Sequence, residues 1–348
     1  MAFVTLMLSA PERPGALRAT ADAPATVGAR LATRSGTGVP GGGPSTSAVL
    51  GGDSRHLLVP DARSRLADMR SLESLAWVDD WPVPHAAAAV VRSDGTVAGT
   101  HGPTDRRFAL ASVTKPIAAY TVLVAYEEGA VELDEPAGPE GSTVRHLLAH
   151  TSGLAFDEYR VQAEPGARRI YSNAGFEALG EHLAEATGIA FPEYLRQAVL
   201  EPLGMRATSL EGEQSPAKDG WSTVDDLIRF AAEVQAPQLL DARTVAEAIS
   251  VVHPGLKGVL PGYGSQNPND WGLGFEIRDG KSPHWTGQAS SPRTYGHFGQ
   301  SGTFLWIDPD ARAAAVALTD RDFGPWAIEA WPGFTDAILK ELGQGGGR

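Results

Sequence analysis

Ser112-Val113-Thr114-Lys115 sets a hydroxyl one helical turn ahead of a lysine amine. The stretch lies between an apolar run, Phe108-Ala109-Leu110-Ala111, and a long helical pattern from Ile117 to Glu128. Positions i and i+3 share a helix face, so the two side chains can meet. Serine is a weak nucleophile until a neighbouring base takes its proton, and a partly desolvated lysine can serve. A helix start here would add the positive end of the helix dipole where negative charge develops. The same residues also spell an ordinary helix start, with Ser112 as N-cap and Lys115 solvated. The stretch alone leaves both readings open.

Two further segments bear on the choice. Tyr171-Ser172-Asn173 follows a loop with Pro165, Gly166 and two arginines and precedes a helical pattern from Phe176 to Ala186. In an extended or capping segment, residues two apart point the same way. A phenol, with a reference pKa of about 10, works as a base at neutral pH only beside a cation that stabilises the phenolate. Lys115 is the candidate cation, and a half-buried core tyrosine with Asn173 as N-cap is the alternative. The other segment runs from Gly296-His297-Phe298-Gly299-Gln300-Ser301-Gly302 into Thr303-Phe304-Leu305-Trp306-Ile307 and an Asp308-Pro309-Asp310 turn. Small residues at a strand edge admit a substrate backbone, or mark a barrel corner or bulge. A backbone N–H there would complete an oxyanion hole with that of Ser112.

Ser-x-x-Lys, Tyr-x-Asn and His-x-Gly occur in that order, with Leu147-Leu148-Ala149-His150-Thr151-Ser152-Gly153-Leu154 between the first two. In this the chain resembles the penicillin-recognising serine hydrolases: class C β-lactamases, D-alanyl-D-alanine carboxypeptidases and esterases on the same scaffold. The resemblance covers roughly Ala86 to Leu342. It implies that Ser112 is acylated, that Lys115 holds or relays its proton, and that Tyr171 acts as base. It also implies that Asn173, His297, Gly299 and Gln300 meet the substrate. The family's third motif is usually Lys-Thr-Gly or Lys-Ser-Gly, and here it reads His297-Phe298-Gly299. Lysine is a fixed charge suited to substrate carboxylates. Histidine, with a reference pKa of about 6.5, is mostly neutral at pH 7 and becomes cationic below that value. Phe298 removes a hydroxyl that commonly assists. The expected substrate is therefore a small neutral ester or amide. A carboxypeptidase or β-lactamase is the runner-up, and a catalytically weak binding protein on the scaffold is the alternative outside the enzymes.

Composition excludes much else. The chain has 348 residues, 42% hydrophobic and 20% charged, with a formal charge of -13 and no cysteine. Such acidity disfavours nucleic acid and anionic membranes as partners. Without cysteine there is no disulfide, thiol nucleophile or cysteine-based metal site. No apolar run approaches the ~20 residues that cross a bilayer. The apolar opening, Phe3 to Leu8, is short and has no preceding Lys or Arg, so it reads as non-secretory and the protein as cytoplasmic. Residues 1–66, rich in Gly, Ala, Pro, Ser and Thr, read as flexible, residues 67–342 as the hydrolase domain, and 343–348 as a tail.

Within the domain a hairpin is expected, Ala86–Val91 and Val97–Gly99 about an Asp94-Gly95 turn. Helices are expected over 143–149, 172–186, 191–200, from Ser222, over 241–250 and over 335–342. Strands are expected near 272–278, 302–307 and 313–318. Strands at both ends with helices between predict an α+β fold: one antiparallel sheet built from the two termini, flanked by terminal helices, with an inserted helical lobe. That is also the β-lactamase-like fold the resemblance implies. His146 and His150 have the i, i+4 spacing of a metal pair but no third ligand, so no metal or other cofactor is expected. Instead, His150 should bond backbone near the following turn. Gly280-Lys281-Ser282 lacks the first glycine of a phosphate loop. Oligomeric state is left open.

Overall fold

A computed structural model describes residues 72–345. The expected flexible segment 1–66, the apolar N-terminus and residues 346–348 lie outside the described residues. A 3-10 helix, Glu73–Asp80, leads into β1 (Ala86–Arg92), β2 (Val97–His101) and β3 (Phe108–Ala109). There follow α1 (Thr114–Glu127), α2 (Val144–Leu148), α3 (Asn173–Thr187) and α4 (Phe191–Leu195), which continues through a π turn, Arg196–Leu200, to Glu201–Leu203. Next come β4 (Ser209–Leu210), β5 (Gly220–Ser222), α5 (Val224–Gln235) and α6 (Ala242–Ala248). The chain returns through β6 (Gly258–Leu260), β7 (Gly264–Gln266), β8 (Glu276–Ile277), β9 (Tyr295–Gly299), β10 (Thr303–Asp308), β11 (Ala313–Thr319) and α7 (Pro325–Gly345).

The main sheet has the order β2-β1-β11-β10-β9-β8, and every neighbouring pair is antiparallel. It is assembled from the two ends of the domain, as the sequence pattern predicts. β1 and β11 are paired from Ala86↔Thr319 to Arg92↔Ala313 and are rich in alanine. Both faces are buried, which is why these strands read as continuous apolar runs rather than alternating ones. On one face Val90, Ala315, Trp306 and Phe298 pack against Trp331, Phe334 and Ile338 of α7 and against Leu75 and Val78 of the 3-10 helix. α5 covers the other face. The Glu341 carboxylate ties the termini together, accepting from the N–H groups of Glu73 (2.7 Å) and Ser74 (3.0 Å).

Several boundaries differ from expectation for local reasons. α7 begins ten residues before the expected 335 and continues past 342 to Gly345, although Pro332 sits inside it. Proline costs a helix one hydrogen bond, and burial of Trp331 and Phe334 outweighs that loss. The strand expected over 272–278 shrinks to Glu276–Ile277. Gly274 there has φ +81°, and a Cβ would stand 2.1 Å from that of Ala119, so a tight loop pressed on α1 replaces the strand. The inserted lobe also carries two short sheets, β3-β5-β4 and β6-β7, that were not expected. Trp285 and Trp331 are fully buried in the core. Among the described residues no helix is long and apolar enough to cross a membrane.

Candidate active site

Ser112 lies in a 3-10 turn, Ala111–Val113, that runs directly into α1. Ala111 has φ 45°, a left-handed conformation that costs a non-glycine residue about 1 kcal/mol or more. Neighbours hold the turn in place. Thr114 Oγ1 donates to the Ala111 carbonyl (2.6 Å) and accepts from Gly220 N–H (2.9 Å), while Thr303 and Ser301 hydroxyls donate to Leu110 (2.9 Å) and Ala109 (2.6 Å) carbonyls. β5 and β10 thus fix the turn from both sides. Gly299 closes the edge of β9 against it, since a Cβ there would fall 2.2 Å from the Leu110 carbonyl oxygen.

α1 is apolar almost all round and buried from Thr114 to Ala125, which carries Lys115 into the interior. Its Nζ lies 3.1 Å from Ser112 Oγ, 2.6 Å from Asn173 Oδ1 and 2.9 Å from the Ala217 carbonyl. It also stands 4.7 Å from the centre of the Tyr171 ring. Burial brings the Lys115 pKa down to about 7, against the charges of Asp157 and Glu177, which raise it, and with that of Lys218, which lowers it. That is about 5 kcal/mol against the ammonium form relative to a free lysine.

Tyr171 leads into α3, whose N-cap is Ser172, accepting from Gly175 N–H at 2.9 Å. Asn173 is therefore not the cap, and its side chain is free to bond Lys115. The Tyr171 hydroxyl lies 3.4 Å from His297 Nε2. Burial pushes its phenol well above the ordinary range. The phenolate condition set by sequence reasoning is not met, because burial raises the phenol and Lys115 faces the ring rather than the oxygen.

His297 requires a correction. It is buried, and burial, with the Lys115 charge, takes its pKa down to about 3. The expected gain of charge below pH 6.5 does not occur. Nδ1 lies 2.6 Å from the Phe298 carbonyl, so that nitrogen carries the proton and the Nε2 lone pair faces Tyr171. Phe298 also stands elsewhere than expected. Its ring packs on Phe323 (4.9 Å), Tyr263, Trp285 and Trp331 in the aromatic core, not at a substrate carboxylate. The Gln300 side chain is exposed and turned to the Phe323 carbonyl, apart from the cluster. Ser112, Lys115, Tyr171, Asn173 and His297 are brought together.

Sequence reasoning missed several members. The buried His150 ring packs on Tyr171 (4.6 Å) and Trp271 (4.8 Å), and its Nδ1 accepts from the N–H of Ser172, the distant N-cap of α3, rather than from the turn that follows it. Trp271 closes the same wall, 5.6 Å from Tyr171 and 5.4 Å from His297. Asp157 accepts from Asn173 Nδ2 at 2.7 Å. His146 turns away and stacks on His253 (4.7 Å), and Lys281 is locked in a buried ion pair with Glu276. Among the described residues no group of three His, Cys, Asp or Glu is set to hold a metal ion.

The beta-lactamase family pattern matches residues 78–333, and the chain belongs to that family, the penicillin-recognising serine hydrolases. It has the β-lactamase-like α+β scaffold of that family. The crystal structure of a beta-lactamase from Mycobacterium bovis is 56% identical, with a TM-score of 0.76, covering 77% of this chain and 99% of that one. A mutant simvastatin synthase from Aspergillus terreus shares the fold at 18% identity and a TM-score of 0.65, over 81% of this chain and 97% of that one. A putative D-alanyl-D-alanine carboxypeptidase from Salmonella heidelberg is 26% identical over 246 residues, 56% of this chain and 55% of that protein. Penicillin-binding protein 4* of Bacillus subtilis is 27% identical over 138 residues, 30% of this chain and 31% of its own length. The chain thus spans about half or less of the curated relatives it matches.

Proposed function

We propose that the protein hydrolyses carboxylic esters or small amides through an acyl-enzyme on Ser112. The observation that carries this reading is the Ser112 Oγ to Lys115 Nζ distance of 3.1 Å, with the amine fully buried. A neutral amine has two N–H groups and one lone pair. Asn173 Oδ1 and the Ala217 carbonyl only accept, so they take both N–H groups and leave the lone pair for the Ser112 hydroxyl. Lys115 would then take the proton as Ser112 Oγ attacks the acyl carbon. The backbone N–H groups of Ser112 and Gln300 would hold the oxyanion. Tyr171, protonated, would pass its proton to the leaving alkoxide or amine and be reprotonated by way of water as Lys115 releases its own, since the amine faces the ring rather than the hydroxyl. Water would then attack the acyl-enzyme by the same relay in reverse. Turnover should rise with pH through about 7, because only neutral Lys115 accepts the proton.

The ester preference rests on His297. A neutral imidazole stands where the family more often has a lysine, so nothing at that position offers a charge to a substrate carboxylate. Wild-type preference for neutral esters should therefore hold across about pH 5.5 to 8, the range that spans free imidazole titration. His297→Lys should raise kcat/KM for carboxylate-bearing substrates by about tenfold, the size of one charged hydrogen bond. Kinetics on a neutral ester and a penicillin, wild type against variant, check this. The similarity to the Mycobacterium bovis beta-lactamase favours the second reading, a β-lactamase. Efficient wild-type penicillin turnover at pH 8 would select it and remove the ester preference.

We also propose that residues 67–342 contain the whole catalytic unit. A chain starting at residue 67 should keep its ester turnover and melting temperature, since every contact described above falls within 72–345. A clear fall in either on truncation would contradict this.

A further inference from the structure

The Asn173 amide has two ends alike in shape and opposite in chemistry. Its oxygen must face Lys115 if the amine is to keep its lone pair for Ser112. Turned over, the amide would present N–H to Nζ and claim that lone pair. The group that decides the orientation lies on the far side. Asp157 Oδ1 is 2.7 Å from Asn173 Nδ2, and a carboxylate only accepts, so Oδ1 is left toward Lys115 at 2.6 Å. The loop that carries Asp157 is closed by a Leu154↔Val161 bridge and an Ala155 N–H to Arg160 carbonyl bond of 2.9 Å. It grips the same segment elsewhere. The Phe156 carbonyl accepts from Asn173 N–H (2.6 Å) and Ala174 N–H (3.1 Å), and the Ala155 carbonyl from Ser172 Oγ (2.6 Å). The Phe156 ring stacks on Tyr171 at 5.9 Å.

We infer that Asp157 is a positioning residue for the acyl-transfer site, holding the Asn173 amide so that its oxygen receives Lys115; this rests on the Ser112–Lys115 reading above. Asp157 acts in a second way, through charge. Of the charged groups that act on Lys115, Asp157 and Glu177 of α3 favour the ammonium, and Lys218 on the loop before β5 opposes it. Tyr171, His150 and His297 complete the titratable surroundings. Removing the Asp157 charge leaves one fewer group favouring the ammonium.

Asp157→Asn and Asp157→Ala separate the two effects. Asparagine can still offer an oxygen to Asn173 Nδ2 but carries no charge, whereas alanine offers neither. Plateau kcat of Asp157→Asn on a neutral ester should stay near wild type, with the acid limb of the kcat/KM–pH profile moved to lower pH. Asp157→Ala should show the same displaced limb and a plateau kcat lower by about tenfold or more, the scale of a misplaced reacting group, with KM changed less. If the alanine variant unfolds, Asp157→Leu, which fills the space but offers no acceptor to Asn173 Nδ2, takes its place and should show the same lowered plateau kcat. Wild-type profiles for both variants, beside an inactive Ser112→Ala, would overturn this inference and leave the site reading intact. Turnover that survives in Ser112→Ala would remove both.

Discussion

Ser112→Ala should lower turnover of an activated ester by roughly a thousandfold or more while the protein stays folded. On the proposed reading the loss is large because the Ser112 oxygen takes the acyl group, and Lys115, Tyr171 and His297 around it offer no replacement hydroxyl positioned beside the amine. The fold should survive because Ser112 is only half-buried and its turn is fixed by Thr114, Ser301 and Thr303 rather than by its own hydroxyl. Steady-state rates and a thermal melt on one preparation check both halves. Residual activity above about a tenth of wild type would remove Ser112 from the role, since loss of a covalent step costs far more than that.

Lys115→Met and Tyr171→Phe should each cost roughly a hundredfold or more in kcat, the scale of a lost general acid or base. The double variant should be little worse than the worse single one. On the proposed reading the two groups act as one relay around Ser112, so removing either would interrupt the whole path. The pH profiles distinguish them. Wild type should lose activity as pH falls through about 7, where Lys115 takes up a proton. Tyr171→Phe should keep that limb at a lower rate, and Lys115→Met should lose it. Cleanly multiplying losses would instead mean independent roles. Lys115→Met leaves the Asn173 oxygen and the Ala217 carbonyl without their donor, so its melting temperature must accompany its rate.

The parts of this site legible in the sequence are those whose partners lie close along the chain or within a short motif. Ser112 and Lys115 meet because one helical turn joins them, and Tyr171 and Asn173 because they flank the start of α3. The terminal sheet was legible because β1, β10 and β11 carry long apolar runs with turn residues between. What failed was set by distant packing. His297 has an ordinary sequence context, and only burial among Tyr171, Trp271 and Lys115 takes its proton affinity down. Strand alternation alone puts Phe298 on the face opposite His297, which already turns its ring away from the site. Asp157 had none. It is a loop acid beside Glu158, and its role arises from a loop folded back onto Asn173. Pro332 and Gly333 hid the first half of α7, because their local preference opposes a helix that tertiary burial sustains.

The acyl-enzyme on Ser112 is tested most directly by trapping it. The protein is mixed with a slowly hydrolysed activated ester, quenched in acid during turnover, weighed intact and mapped by peptide mass. One acyl group should appear on the peptide that contains Ser112, decay as product accumulates, and be absent from Ser112→Ala. Turnover with no adduct at any quench time, or an adduct that maps elsewhere or persists in Ser112→Ala, would contradict the account.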